Sequence, residues 1–167
     1  MTRATLGLLP RLDAKHRFFM LLFPHYASWE WVIAFATHIG SKGSAIYQKL
    51  GNKYFDQLVR NIRQKFDTTL ITTKETWALV DQNKRAGILG TYGILSDQSP
   101  MVKKALLWTS FMGITVPAHP GADTLCRKLD LAAVYLNVNK LKRCHYPGSF
   151  KLITAHAKDM KSFELNE

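Results

Sequence analysis

The chain has 167 residues, 47% of them hydrophobic, which is room for one domain around one core. Lysine and arginine outnumber aspartate and glutamate 23 to 12, and the formal charge of +11 suits an anionic partner: a membrane surface, a phosphorylated lipid, an acidic carrier protein or nucleic acid. The longest apolar run, Phe18 to Phe23, falls far short of the ~20 residues of a spanning helix, and no glycine-rich nucleotide cradle is present.

Residues 1–17 form a lead-in that Pro10, Arg11, Asp13 and Lys15 keep from being a secretory segment. Residues 18–167 read as a single domain. Arg17 to Phe23 reads as a buried strand, and His25 follows it directly behind Pro24. Ser28 suits a helix N-cap, with Trp29 to Ile39 as the helix and Glu30 in its first turn. Five residues apart on one helix, His25 and Glu30 would lie about 140° apart. Across a strand-to-helix turn they can meet. Glu30 would then accept the Nδ1 proton of His25 and leave Nε2 as a general base. The competing reading makes Glu30 a dipole-favoured surface residue and His25 a loop histidine.

Gly40 to Gly43 reads as a turn and Ser44 to Gln48 as a short strand. Asn52 to Phe66 reads as a helix with Tyr54, Phe55, Leu58, Val59, Ile62 and Phe66 in an apolar stripe. Arg60 and Arg63 share one face of it, and an arginine can grip a phosphate through two parallel hydrogen bonds. The bland alternative is a solvated basic face. Thr72 and Glu75 fit a capping box for a helix that runs to about Arg85 and ends at Gly87. Gly87 to Ser96 reads as a glycine-interrupted strand that delivers Asp97 to its end, where sheets of this class open onto ligand crevices. The alternative for Asp97 is an Asx turn into Ser99-Pro100. Leu106 to Met112 reads as a strand or loop wall, and its apolar part with Trp108 could line an acyl chain. Ala122 to Leu129 reads as a helix, and Ala132 to Asn137 and Phe150 to Ala155 as strands. The order predicts an α/β fold with a mixed sheet flanked by helices. Cys126 and Cys144 lack zinc spacing, so no metal site is expected.

Four segments, in order, resemble a known family. His25-Tyr26-Ala27-Ser28-Trp29-Glu30 resembles the H-x4-[DE] block of the lysophospholipid acyltransferase superfamily, and is most similar to its lipid A biosynthesis (lauroyl/myristoyl) branch. Asn52-Lys53-Tyr54-Phe55-Asp56, followed by Arg60 and Arg63, resembles that branch's N-x-x-[FL]-D block and its arginines. Leu95 to Pro100 resembles the block around its D-Q pair. Phe111 to Pro117, Gly121-Ala122-Asp123 and Ala132 to Val134 resemble the block that closes the site. The forms with Tyr-Phe-Asp and Asp-Gln-Ser-Pro are similar to Bacteroidetes-type members. Ala27-Ser28 stands where Gly-Asn is usual, and Asp123 where glutamate is usual.

The resemblance implies a glycerol-3-phosphate acyltransferase-like fold, here truncated at both ends as a central catalytic segment. It implies an O-acyltransferase with His25 and Glu30 catalytic, and with Arg63, Arg60, Asp97 and Asn52 binding substrate. The acyl group would come from an acyl carrier protein or coenzyme A thioester and go to a hydroxyl of a lipid A precursor or related phosphorylated glycolipid. No bound cofactor or metal is implied, and the setting would be the cytoplasmic face of the bacterial inner membrane, held peripherally at an anionic surface. Two alternatives are a lysophospholipid or glycerolipid acyltransferase, and a non-enzymatic basic module for membrane or nucleic acid. The second block argues against the first. The four ordered blocks and the lack of an RNA-binding signature argue against nucleic acid.

Overall fold

A computed structural model describes residues 18–27, 29–38 and 42–166. The expected lead-in, the expected cap Ser28, the helix end Ile39 and the first half of the expected 40–43 turn lie outside the described residues. The elements run β1 (Phe19–Phe23), a 3-10 stretch (Trp29–His38), β2 (Lys42–Tyr47), α1 (Lys53–Arg63), β3 (Thr69–Thr72) and α2 (Thr73–Arg85). They continue with β4 (Gly90–Leu95), β5 (Leu107–Phe111), β6 (Ile114–Ala118), α3 (Gly121–Leu129), β7 (Ala132–Val138) and β8 (Gly148–Thr154). Among the described residues no helix is long and apolar enough to cross a membrane.

The main sheet has the order β3-β2-β4-β1-β7-β8. Its first five strands are parallel, and β8 closes the edge antiparallel to β7. This is the mixed α/β sheet that the alternation of elements predicts. β1 is central, and all five of its residues are buried, because a strand covered on both faces gives up the apolar-polar alternation. Met20 and Leu22 pack with Val80 of α2 and with Leu125 and Cys126 of α3 on one face. Phe19, Leu21 and Phe23 pack with Val134, Leu136 and Val32 on the other.

Local chemistry sets the element ends. Thr72 caps α2, and the Glu75 carboxylate returns to the Thr72 N–H at 2.9 Å, so the expected capping box is present. Gly87 takes φ +66° beyond the helix. The Ile88 N–H reaches Asn83 O at 2.9 Å and the Gly87 N–H reaches Lys84 O at 3.2 Å, a Schellman closure that favours glycine. Thr72→Ala should lower stability by about 1 kcal/mol, read as a shift of the denaturant midpoint at constant slope.

Several expectations are corrected. Trp29–His38 is 3-10 rather than α-helical. Lys42 and Gly43 belong to a strand, not a turn. The α-helix of the second block stops at Arg63, and Gln64–Phe66 continues as a 3-10 turn. Its apolar stripe is not core: Tyr54, Phe55, Leu58 and Ile62 are all more than half exposed. The helix instead buries Asp56, whose carboxylate accepts the Leu50 N–H at 2.9 Å. β3 is a strand that the periodicity misses, since Thr69-Leu70-Ile71-Thr72 is four residues long and runs straight into a cap. β6 is also unexpected. It pairs with β5 as a separate two-stranded sheet.

Candidate active site

The C-terminal ends of the parallel strands gather the polar residues. In the β1–β4 register Phe23 lies opposite Leu95. Two residues further along each chain, His25 meets Asp97. The Asp97 carboxylate accepts from His25 twice: Oδ1 lies 2.7 Å from ring Nδ1, and Oδ2 takes the His25 backbone N–H at 2.7 Å. Partial burial pushes the Asp97 carboxyl up, but the hydrogen bonds from the His25 ring and backbone outweigh it and hold the group below the usual carboxylate range. Asp97 is therefore charged near neutrality, Nδ1 carries the ring proton, and Nε2 is left as the basic nitrogen.

The expected partnership of His25 with Glu30 is corrected by this geometry. Glu30 instead holds Arg63 through two bonds, Nη2 to Oε1 at 2.5 Å and Nε to Oε2 at 3.1 Å. The carboxylate that orients His25 is thus Asp97, expected only as a substrate-binding group at a strand end. The cause is the sheet order. β4 lies directly beside β1, so the carboxylate at its end reaches the ring first. Glu30 points toward α1 from the second residue of the 3-10 stretch. Ala27 takes the turn at φ +54°, a left-handed conformation that explains why the resembling family usually has glycine there.

Trp29 joins the two pairs. Its ring stands edge-on to His25, with centroids 5.1 Å apart at 72°, and the Arg63 guanidinium lies 5.3 Å from it. The sequence places Trp29 only at the start of the expected helix, with no role in the site of its own. Tyr47, at the end of β2, was likewise missed. Its hydroxyl accepts from Arg60 Nη1 at 2.8 Å.

His25, Trp29, Tyr47, Arg63, His119 and Gly121 line one cleft of about 360 Å³. Arg63 faces it half-buried, with Glu30 behind it on the side of Trp31, Ile62 and Phe66. Asp97 and Arg60 support residues that line the cleft. Asn52 spends its side-chain oxygen on the Tyr54 and Phe55 N–H groups as the N-cap of α1. Asp123 is fully buried in α3 and accepts from Arg127 at 2.8 Å. Its neighbour Cys126 is buried, and burial with the Asp123 charge pushes its thiol up to about 12, so it is inert as a nucleophile.

A histidine base with its carboxylate, beside a guanidinium in an open cleft of an α/β sheet, is the equipment of a group-transfer enzyme that deprotonates a hydroxyl and holds an anion. The chain belongs to the bacterial lipid A biosynthesis acyltransferase family, whose model matches residues 6–134. It is accordingly an O-acyltransferase of the lipid A biosynthesis type. A search of curated proteins finds no match.

Proposed function

We propose that this cleft moves a fatty acyl group from an acyl carrier protein or coenzyme A thioester to a hydroxyl of a lipid A precursor or a related phosphorylated glycolipid. The observation that carries the reading is the 2.7 Å bond between His25 Nδ1 and Asp97, because it leaves Nε2 free to act. Nε2 takes the hydroxyl proton as the oxygen attacks the thioester carbonyl. The tetrahedral intermediate collapses, the carbon–sulfur bond breaks, and the thiolate leaves and takes the proton from the imidazolium. Asp97 stabilises that imidazolium and keeps the ring in one tautomer. No acyl-enzyme and no resident cofactor enter this scheme.

Arg63 supplies the grip on the acceptor's phosphate, and Glu30 pre-orients its guanidinium. An incoming phosphate would compete with Glu30 for the same donors. Arg60 holds Tyr47 at the cleft wall. The net charge of +11 supports a peripheral place at an anionic surface, which this reading sets at the cytoplasmic face of the inner membrane.

The test is transfer of a labelled acyl group from each thioester to a phosphorylated glucosamine lipid, with release of free thiol in equal amount. Thiol release without acylated product, or no turnover with either donor, would overturn the reading. Dephosphorylating the acceptor should raise its KM at least about tenfold, since a charge-assisted contact is worth about 1.5–3 kcal/mol.

A further inference from the structure

Among the described residues, strands β5 and β6 pair only with each other, in register from Leu107 opposite Ala118 to Phe111 opposite Ile114. The turn between them, Met112-Gly113, has φ of +52° and +82°, a tight reversal with positive φ at both central residues. This hairpin exposes large apolar side chains at its tip and on both faces. Met112 at the apex is 87% exposed. The cross-strand pair Phe111 and Ile114 are 61% and 63% exposed, and Trp108 on the opposite face is 48% exposed. Exposed apolar patches mark contact surfaces, and a wedge with apolar side chains at its apex and on both faces, flanked by lysines, suits the boundary of an anionic bilayer.

Its position adds to the case. The hairpin lies in the connection that leaves the C-terminal end of β4. His25 leaves β1, the next strand, and beyond it β7 leads into residues 139–147, which carry exposed Lys140, Lys142 and Arg143. Lys103 and Lys104 sit exposed at the base of the hairpin. The base His25 therefore emerges between an apolar wedge with basic flanks and a basic loop, all at one end of the sheet.

We infer that this end is a bilayer-docking face: the Phe111–Ile114 tip enters the acyl-chain boundary of an anionic membrane while the flanking lysines and the 140–143 loop bind its headgroups. The inference rests on the acyl-transfer reading for its purpose, since it would let a lipid acceptor reach His25 without leaving the membrane. Its test does not depend on turnover.

The experiment is flotation of the whole chain with phosphatidylcholine vesicles, with and without phosphatidylglycerol, across a salt series. Tight binding is expected only to the anionic vesicles, with a residual component that survives high salt. The double variant Phe111→Asp/Met112→Asp, with an unchanged circular dichroism spectrum, should lose at least about tenfold in partitioning. Ile88→Asp, an exposed apolar site at the opposite end of the sheet, should bind as the parent does. In vesicles of brominated lipid, Trp108→Phe should remove most of the tryptophan quenching, which tests the tip without charging it. The inference is overturned if the double variant floats as well as the parent, if Ile88→Asp falls equally, or if the parent binds no vesicle and binds an acidic acyl carrier protein instead. A parent that floats through its hairpin and transfers no acyl group would sink the functional reading alone.

Discussion

His25→Ala should reduce acyl transfer by about 10²–10⁴-fold, with far less effect on the KM of either substrate, the signature of a lost general base. The two carboxylate variants decide which acid serves that base. Asp97→Asn should approach the His25→Ala loss, because an amide can donate to Nδ1 and invert the ring's tautomer, leaving Nε2 protonated. Glu30→Gln should cost much less in kcat, since Glu30 contacts Arg63 and not the ring. A Glu30→Gln loss as large as that of His25→Ala, with Asp97→Asn near parental, would reverse the assignment. Stability should follow the same carboxylate. Asp97 has its folded value held below the unfolded ~3.9, so its contribution is present above that range and is lost as pH falls through the folded value. The stability gap between the parent and Asp97→Asn should therefore narrow below about pH 4, measurable by denaturant titration at stepped pH.

The second large effect is expected at Arg63. Arg63→Ala should raise the acceptor's KM about 10–100-fold and leave the thioester's KM within a few-fold, as loss of a two-pronged phosphate contact requires. Arg63→Lys should recover only part of this, because a lysine keeps the charge and not the fork. Steady-state kinetics with each substrate varied in turn separates the cases. Equal loss toward donor and acceptor would make Arg63 a structural partner of Glu30 and Trp29 instead.

The sequence disclosed the residues of the site better than their pairing. His25, Glu30, Arg63 and Asp97 were all legible as polar groups at element ends, and all four line the cleft or stand directly behind a lining residue. Which carboxylate meets which base depends on strand order, and order is non-local. Nothing near Asp97 in the chain says that β4 lies against β1. Strong local chemistry transferred well: the Thr72–Glu75 box and the Gly87 stop are where the residues put them. Weak or ambiguous local chemistry did not. The stripe of α1 has helical periodicity, and periodicity tells which residues share a face, not whether that face is covered. β3 and β6 are short, polar-flanked strands that exist because a neighbour offers an edge.

The placement of β1 has a consequence for how the chain is made. It is the first described strand to be synthesised, and both its neighbours come from far downstream, β4 from residue 90 onward and β7 from residue 132 onward. Until those segments emerge, Phe-Met-Leu-Leu-Phe has two open edges and no charge, the profile of a self-associating segment. The His25–Asp97 contact spans 72 residues and cannot form before β4 docks. Maturation of the site should therefore be slow and late, as for other structures built on long-range parallel pairing. Overproduction should yield aggregates nucleated by this strand, relieved by lower temperature or a holding chaperone.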